Sequence, residues 1–273
     1  MSAAVMAGSS RREYSRPEML ILLTNDDGIR APGIVAMYRE LVKLGEVHVI
    51  APETVQSATG HGITITTPLL TQRVTVEGAF TGTAVDGRPA DCVKVAVGQL
   101  LPRRPDLVVS GMNSGANVGI NVIYSGTVAA AIEAAFLGLP AIATSLYLRN
   151  DKPLDYARSA GFARQAIEQI LSAGLKGGQV CSVNVPPLDA DEQPTGIKVV
   201  RQCTRAWNDT YEERKDPRGK SYFWNTSVFR LGETEEDTDV AALRDRYITV
   251  TPLHFDLTHY PQLHEWQGRE WKV

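Results

Sequence analysis

Cysteine is scarce in this chain. Three residues out of 273, Cys92, Cys181 and Cys203, form an odd set without metal-ligand spacing. That argues against a disulfide framework and predicts a reducing compartment, the cytoplasm. Cys92 and Cys181 sit in apolar runs and read as small core residues. The five histidines, His48, His61, His254, His259 and His264, show no H-E-x-x-H spacing, so a zinc site has no support. No stretch of about 18 apolar residues occurs, nor a signal-peptide core with a cleavage site, which predicts no membrane partner. The 28 basic and 31 acidic residues leave a net charge of −3. Such a balance supplies no basic face for duplex nucleic acid or an anionic bilayer.

Several catalytic signatures are also missing. Gly28 and Gly33 have the spacing of a P-loop, but no Lys-Ser/Thr pair follows. No G-x-G-x-x-G follows a strand, and no G-x-S-x-G elbow is present. Repeats of 20 to 50 residues are absent. A small anionic ligand would have to be captured locally, by a metal or by helix ends.

Hydrophobic residues make up 43% of the chain, enough for a full core. Residues 1–18 are small and polar and read as a flexible extension. Met19 to Thr24 is a continuous apolar run, as expected of a strand buried on both faces. Pro32 opens a helical pattern closed by Gly45, and Val47 to Ile50 is a second strand. Period-two alternation at 63–66 and 74–76 predicts strands or hairpins at a sheet edge. Further elements are expected as helices at 90–101, 127–137 and 155–171, and strands at 107–110, 141–146 and 181–185. This alternation predicts an α/β, Rossmann-like, doubly wound and mostly parallel sheet over 19–187. Residues 188–273 form an appended C-terminal region rich in charge and aromatics, with the acidic run 233–239 read as a solvated loop.

Ligands of open α/β sheets bind beyond the carboxyl ends of the strands. Four polar segments fall there: Asn25-Asp26-Asp27-Gly28, Ser57-Ala58-Thr59-Gly60, Ser110-Gly111-Met112-Asn113 and Ser125-Gly126-Thr127. Adjacent carboxylates repel, and holding both ionised at a sheet end calls for a cation or strong donors. The structural alternative is an Asx turn in which Asp27 caps the next helix and Gly28 supplies positive φ. Ser and Asn oxygens beside two carboxylates suit a hard cation such as Mg²⁺ or Mn²⁺. Residues 110–121 carry too many Gly and Asn for a helix and read as a polar loop. Ser125-Gly126-Thr127 opens an Ala-rich helix whose free N–H groups suit a phosphate; its alternative is an ordinary Ser/Thr cap. His61, near the Ser57 loop, reads as a loop-surface histidine.

The segments ILLTNDDGIRAPGI (21–34), APETVQSATGHGITI (51–65), DLVVSGMNSGANVG (106–119), YSGTVAAAIEA (124–134) and ITVTPLHFDLT (248–258) occur in order. On them, with matching stretches at 86–97, 183–187 and 201–224, the chain resembles the SurE (stationary-phase survival) family of 5′/3′-nucleotidases. The resemblance implies one divalent metal per subunit, held by Asp26, Asp27, Ser57 and Asn113. It implies nucleoside 5′- and 3′-monophosphates as substrates, with short polyphosphate as a further one. It also implies a homodimer or homotetramer with a C-terminal hairpin exchanged between subunits, for which 201–260 is the equivalent stretch. On this footing Asp26 and Asp27 anchor the ion, and one of them accepts the proton of the attacking water. Asn117, Ser125, Gly126 and Thr127 hold the phosphate. A non-catalytic nucleotide-binding sensor using the same pocket is the competing reading. A phosphoaspartate mechanism asks for two aspartates spaced two apart, whereas these are adjacent.

Overall fold

The computed structural model describes residues 19–148, 154–205, 210–226, 231–232 and 234–272. The extension at 1–18 lies outside the described residues. In chain order the first half comprises β1 (Leu20–Thr24), α1 (Pro32–Leu41), β2 (Glu46–Pro52), β3 (Thr71–Val76), β4 (Phe80–Val85), α2 (Pro89–Val95), β5 (Leu107–Ser114), α3 (Asn121–Tyr124) and α4 (Gly126–Phe136). The second half comprises β6 (Ala141–Leu146), α5 (Tyr156–Ser172), β7 (Val180–Val185), β8 (Gly196–Val199), β9 (Tyr211–Lys215), β10 (Ser221–Asn225), α6 (Asp239–Arg244), β11 (Tyr247–Leu253) and α7 (Tyr260–Gln267).

Nine strands form one sheet in the order β3-β4-β2-β1-β5-β6-β7-β11-β8. The six from β4 to β7 pair in parallel, while β3 and β11 run antiparallel to β4 and β7. Strand β1 is buried on both sides because its residues alternate between two cores. Ile21 and Leu23 pack with α1 and α5, and Leu22 packs with α2 and α4. This is the doubly wound α/β arrangement expected from the helix–strand alternation. Strand order reverses at β1, between β2 and β5, so a crevice opens beyond the carboxyl ends of β1 and β5.

Two segments differ from expectation. Residues 63–66 alternate like a strand but join no sheet. Their backbone is claimed by a buried carboxylate instead: Asp91 accepts the Thr64 N–H at 2.9 Å and the Thr64 hydroxyl at 2.7 Å. The acidic run is not wholly solvated, because its end, Asp239, is buried at the start of α6. Beyond residue 187 the chain still feeds the main sheet through β8 and β11. What leaves the body is the β9–β10 hairpin, a separate two-stranded sheet whose ten residues are all exposed. Helix α7 likewise buries none of its residues. Among the described residues no helix is long and apolar enough to cross a membrane.

Candidate active site

The turn after β1 builds the centre of the crevice. Asn25 Nδ2 donates to Gly28 O at 2.9 Å, and Gly28 adopts φ +95°, a conformation that a side chain disfavours. The clasp of this turn is therefore Asn25. Helix α1 begins at Ala31 with no side-chain cap, so the capping role considered for Asp27 is not what the fold uses. Asp27 Oδ2 instead accepts the Ser114 backbone N–H at 2.9 Å, from the end of β5.

Asp26 is buried and turned toward α4. Its Oδ1 accepts the Thr127 hydroxyl at 2.5 Å, and the Thr127 backbone N–H also favours its ionised form. Burial pushes its pKa up to about 6, with the Asp27 charge adding to the rise and the Thr127 hydrogen bond opposing it. A buried carboxylate with so few donors is poised to gain from a cation. Gly126 packs directly on it: a Cβ there would lie 2.9 Å from Asp26 Cβ.

The other expected residues have contacts of their own. Gln56 N–H donates to Asp26 O at 2.7 Å, which seats the loop carrying the exposed Ser57. The loop is further tied by Gly60 N–H to Tyr124 O at 3.0 Å. His61 meets Glu133 of α4 at 2.9 Å and stacks on Phe136, so it anchors this loop as well. Asn113 Nδ2 is spent on Gly115 O at 2.7 Å, which leaves the side-chain oxygen as its free end. Ser125 Oγ accepts the Val128 N–H at 3.1 Å as an N-cap. With Val128 capped and Thr127 facing Asp26, Gly126 keeps its N–H at the helix end. Asn117 is buried further along the sheet, donating to Ser145 Oγ at 2.8 Å while its N–H reaches Asn184 Oδ1 at 2.8 Å.

Residues that sequence reasoning passed over include Ser114, Ser145 and Asn184. Ser114 ends β5, and Ser145 and Asn184 are the penultimate residues of β6 and β7, where a polar residue late in an apolar run was the available signal. Asn25 Oδ1 and Ser110 Oγ are buried without a hydrogen-bond partner among the described residues. No group of three or more His, Cys, Asp or Glu converges among the described residues. A cation here would meet two carboxylates and neutral oxygens.

The family model described as Survival protein SurE matches residues 21–209. This chain belongs to the SurE family. It is 47% identical over 245 residues to a 5′-nucleotidase SurE of Syntrophobacter fumaroxidans, covering 90% of this chain and 97% of that protein. A 5′-nucleotidase SurE of Carboxydothermus hydrogenoformans is 46% identical over 250 residues, covering 90% and 94%. The crystal structure of the SurE protein from Aquifex aeolicus superposes with a TM-score of 0.79 at 37% identity, covering 91% of this chain and 98% of that one. The SurE fold thus extends over most of the chain.

Proposed function

We propose that this SurE-family chain is a nucleotidase that hydrolyses nucleoside 5′- and 3′-monophosphates to nucleoside and phosphate, using one divalent cation, Mg²⁺ or Mn²⁺. The observation that carries the reading is the contact between Asp26 and the start of α4. It sets a cation-seeking carboxylate against an anion-seeking helix end, which is the pairing a metal-assisted phosphatase needs.

The donor set fits a hard cation. Asp26 and Asp27 each have one oxygen engaged by protein, at Thr127 and Ser114, and a second to offer. The Ser57 hydroxyl and the Asn113 carbonyl oxygen complete an all-oxygen set with room for substrate. When bound, the cation supplies Lewis-acid polarisation of a phosphate oxygen and a water acidic enough to attack near neutral pH.

The chain's own part is to orient and to move a proton. Gly126 N–H and the positive end of α4 hold the phosphate and stabilise charge that grows on it. Asn117, whose Nδ2 is held by Ser145, is the further residue proposed for the phosphate side. Either Asp26 or Asp27, the one less tightly bound to the cation, accepts the proton of the attacking water.

Association of subunits is part of the same proposal. The hairpin exposes Tyr211, Tyr222, Phe223 and Trp224, and α7 exposes Tyr260, Leu263 and Trp266. Aromatic arms this exposed suit a second copy of the chain, as a homodimer or homotetramer. Three free, buried cysteines fit a reducing compartment such as the cytoplasm.

Phosphate release from purine and pyrimidine monophosphates and from short polyphosphate, with Mg²⁺, Mn²⁺ or EDTA, tests the reading. Release that EDTA abolishes is expected. Nucleotide binding without release under every metal would favour the sensor instead.

A further inference from the structure

Away from the acid pair, one buried carboxylate joins three distant stretches of chain. Asp239, in the first turn of α6, is almost fully buried. Its Oδ2 accepts the Gly119 N–H at 2.8 Å, and its Oδ1 accepts the N–H groups of Cys203 and Val240 at 2.9 Å each. Gln202 Nε2 donates to Gly119 O at 2.8 Å, so both backbone polar groups of Gly119 are held from the same side. Ala116, Val118, Cys203, Val240 and Leu243 enclose these bonds in a small apolar cluster separate from the two main cores. Gly119 takes φ +60°, a conformation that disfavours a side chain, and lies in van der Waals reach of Val240 and Cys203.

Gly119 is the middle of the segment that runs from Asn113 to Thr127. The earlier half is fixed by the sheet, through Gly115 N–H to Leu146 O and Asn117 N–H to Asn184 Oδ1. The later half leaves the sheet to form α3 and the start of α4. Its direction is set at Gly119. Asp26, Asp27 and Ser57 belong to other segments, tied to this one at Thr127, at Ser114 and through Gly60 at Tyr124.

We propose that Asp239 is a positioning residue that fixes the phosphate side of the site, from Gly119 to Gly126. This rests on the nucleotidase reading of the pocket. A carboxylate is suited to the place because three N–H groups converge on it, and it offers acceptors only. An asparagine of the same shape would set its own N–H against either Gly119 or the Cys203–Val240 pair.

The test is Asp239→Asn in the full chain. The Kd of inorganic phosphate and the KM for a nucleoside monophosphate should rise about 10-fold, the worth of one ordinary hydrogen bond. The Kd of Mn²⁺ should rise less than that of phosphate, because Asp27 and Asn113 precede Gly119 on parts held by the sheet. A merely structural residue would lower thermal stability and the active fraction while leaving KM and phosphate affinity of the folded protein unchanged. That result would overturn the proposal. Gln202→Met removes the second hold on Gly119 from a half-buried edge and should act in the same direction, so an unchanged KM there overturns it even if Asp239→Asn does not fold. Amide exchange supplies a readout independent of turnover: residues 119–127 should exchange faster in either variant and residues 24–28 should not. Equal exchange in 119–127 would contradict the clamp whether or not the wild type hydrolyses nucleotide, so failure of the clamp and failure of the nucleotidase reading remain distinguishable.

Discussion

Thr127 donates its hydroxyl to Asp26 Oδ1 at 2.5 Å, across 101 residues of chain. The bond joins the end of the first strand to the first turn of α4. Removing it should be costly, because hydrogen bonds to charged groups are worth about 1.5–3 kcal/mol. Thr127→Val keeps the volume and deletes the donor. A weakening of Mn²⁺ affinity and of kcat/KM by about 10- to 100-fold is expected, measured by calorimetry and steady-state kinetics. Unchanged values would mean that the bond does not orient Asp26.

Asp26 makes the metal-free protein sensitive to pH. Its pKa lies at about 6 in the folded chain and near 3.8 when the chain unfolds. A carboxyl with a raised folded pKa contributes stability that is full below the unfolded value and lost as pH rises through the folded value. The EDTA-treated protein should therefore lose about 3 kcal/mol from this group between about pH 4 and 7. Asp26→Asn lacks that slope and should be the more stable protein at pH 7 without metal. Denaturant midpoints of the two proteins across this range supply the check, and a constant difference between them would refute the burial argument.

Gly126 sets a competition between two effects of known size. Alanine is the better helix former by about 1 kcal/mol. Its Cβ, however, would stand 2.9 Å from Asp26 Cβ and 3.2 Å from Pro89 Cγ, neither of which is the free end of a flexible chain. Overpacking of this kind costs about 1–3 kcal/mol, so it should win. Gly126→Ala is expected to lower the melting temperature and weaken Mn²⁺ binding together. A rise in melting temperature would show that the helix end is looser than described.

The hairpin's aromatic residues bear on assembly. Phe223 and Trp224 lie opposite Glu213 and Glu212 on a ribbon exposed along its whole length. Phe223→Ser with Trp224→Ser should shift the sedimentation mass toward a smaller species and leave the β-sheet circular dichroism intact. An unchanged mass would remove the hairpin from the interface.

Much of this architecture is legible in the sequence for a local reason. Strand β1 is apolar up to Thr24 and β6 opens on an apolar run because both faces are covered, and Pro32 marks the start of α1. The acid pair, the Ser125 cap and the Gly28 turn are likewise local patterns. What sequence could not supply depends on partners far along the chain. Residues 63–66 have strand periodicity, yet Asp91 takes their backbone, and periodicity carries no information about that carboxylate. Asp239 belongs to an acidic run that looks solvated until Gly119 and Cys203 arrive as donors. The Asp26–Thr127 contact is of the same kind: each residue has a local explanation, and only the approach of the α4 N-terminus to the turn after β1 brings them together.

The central claim is that Asp26 and Asp27 with Ser57 and Asn113 hold a single divalent cation. Titration of the metal-stripped protein with Mn²⁺, followed by calorimetry or by loss of the free-ion electron paramagnetic signal, measures this directly. One ion per chain is expected in the wild type, with binding lost in Asp26→Asn and in Asp27→Asn and weakened in Asn113→Ala. Full-strength, one-to-one binding in both aspartate variants would contradict the account.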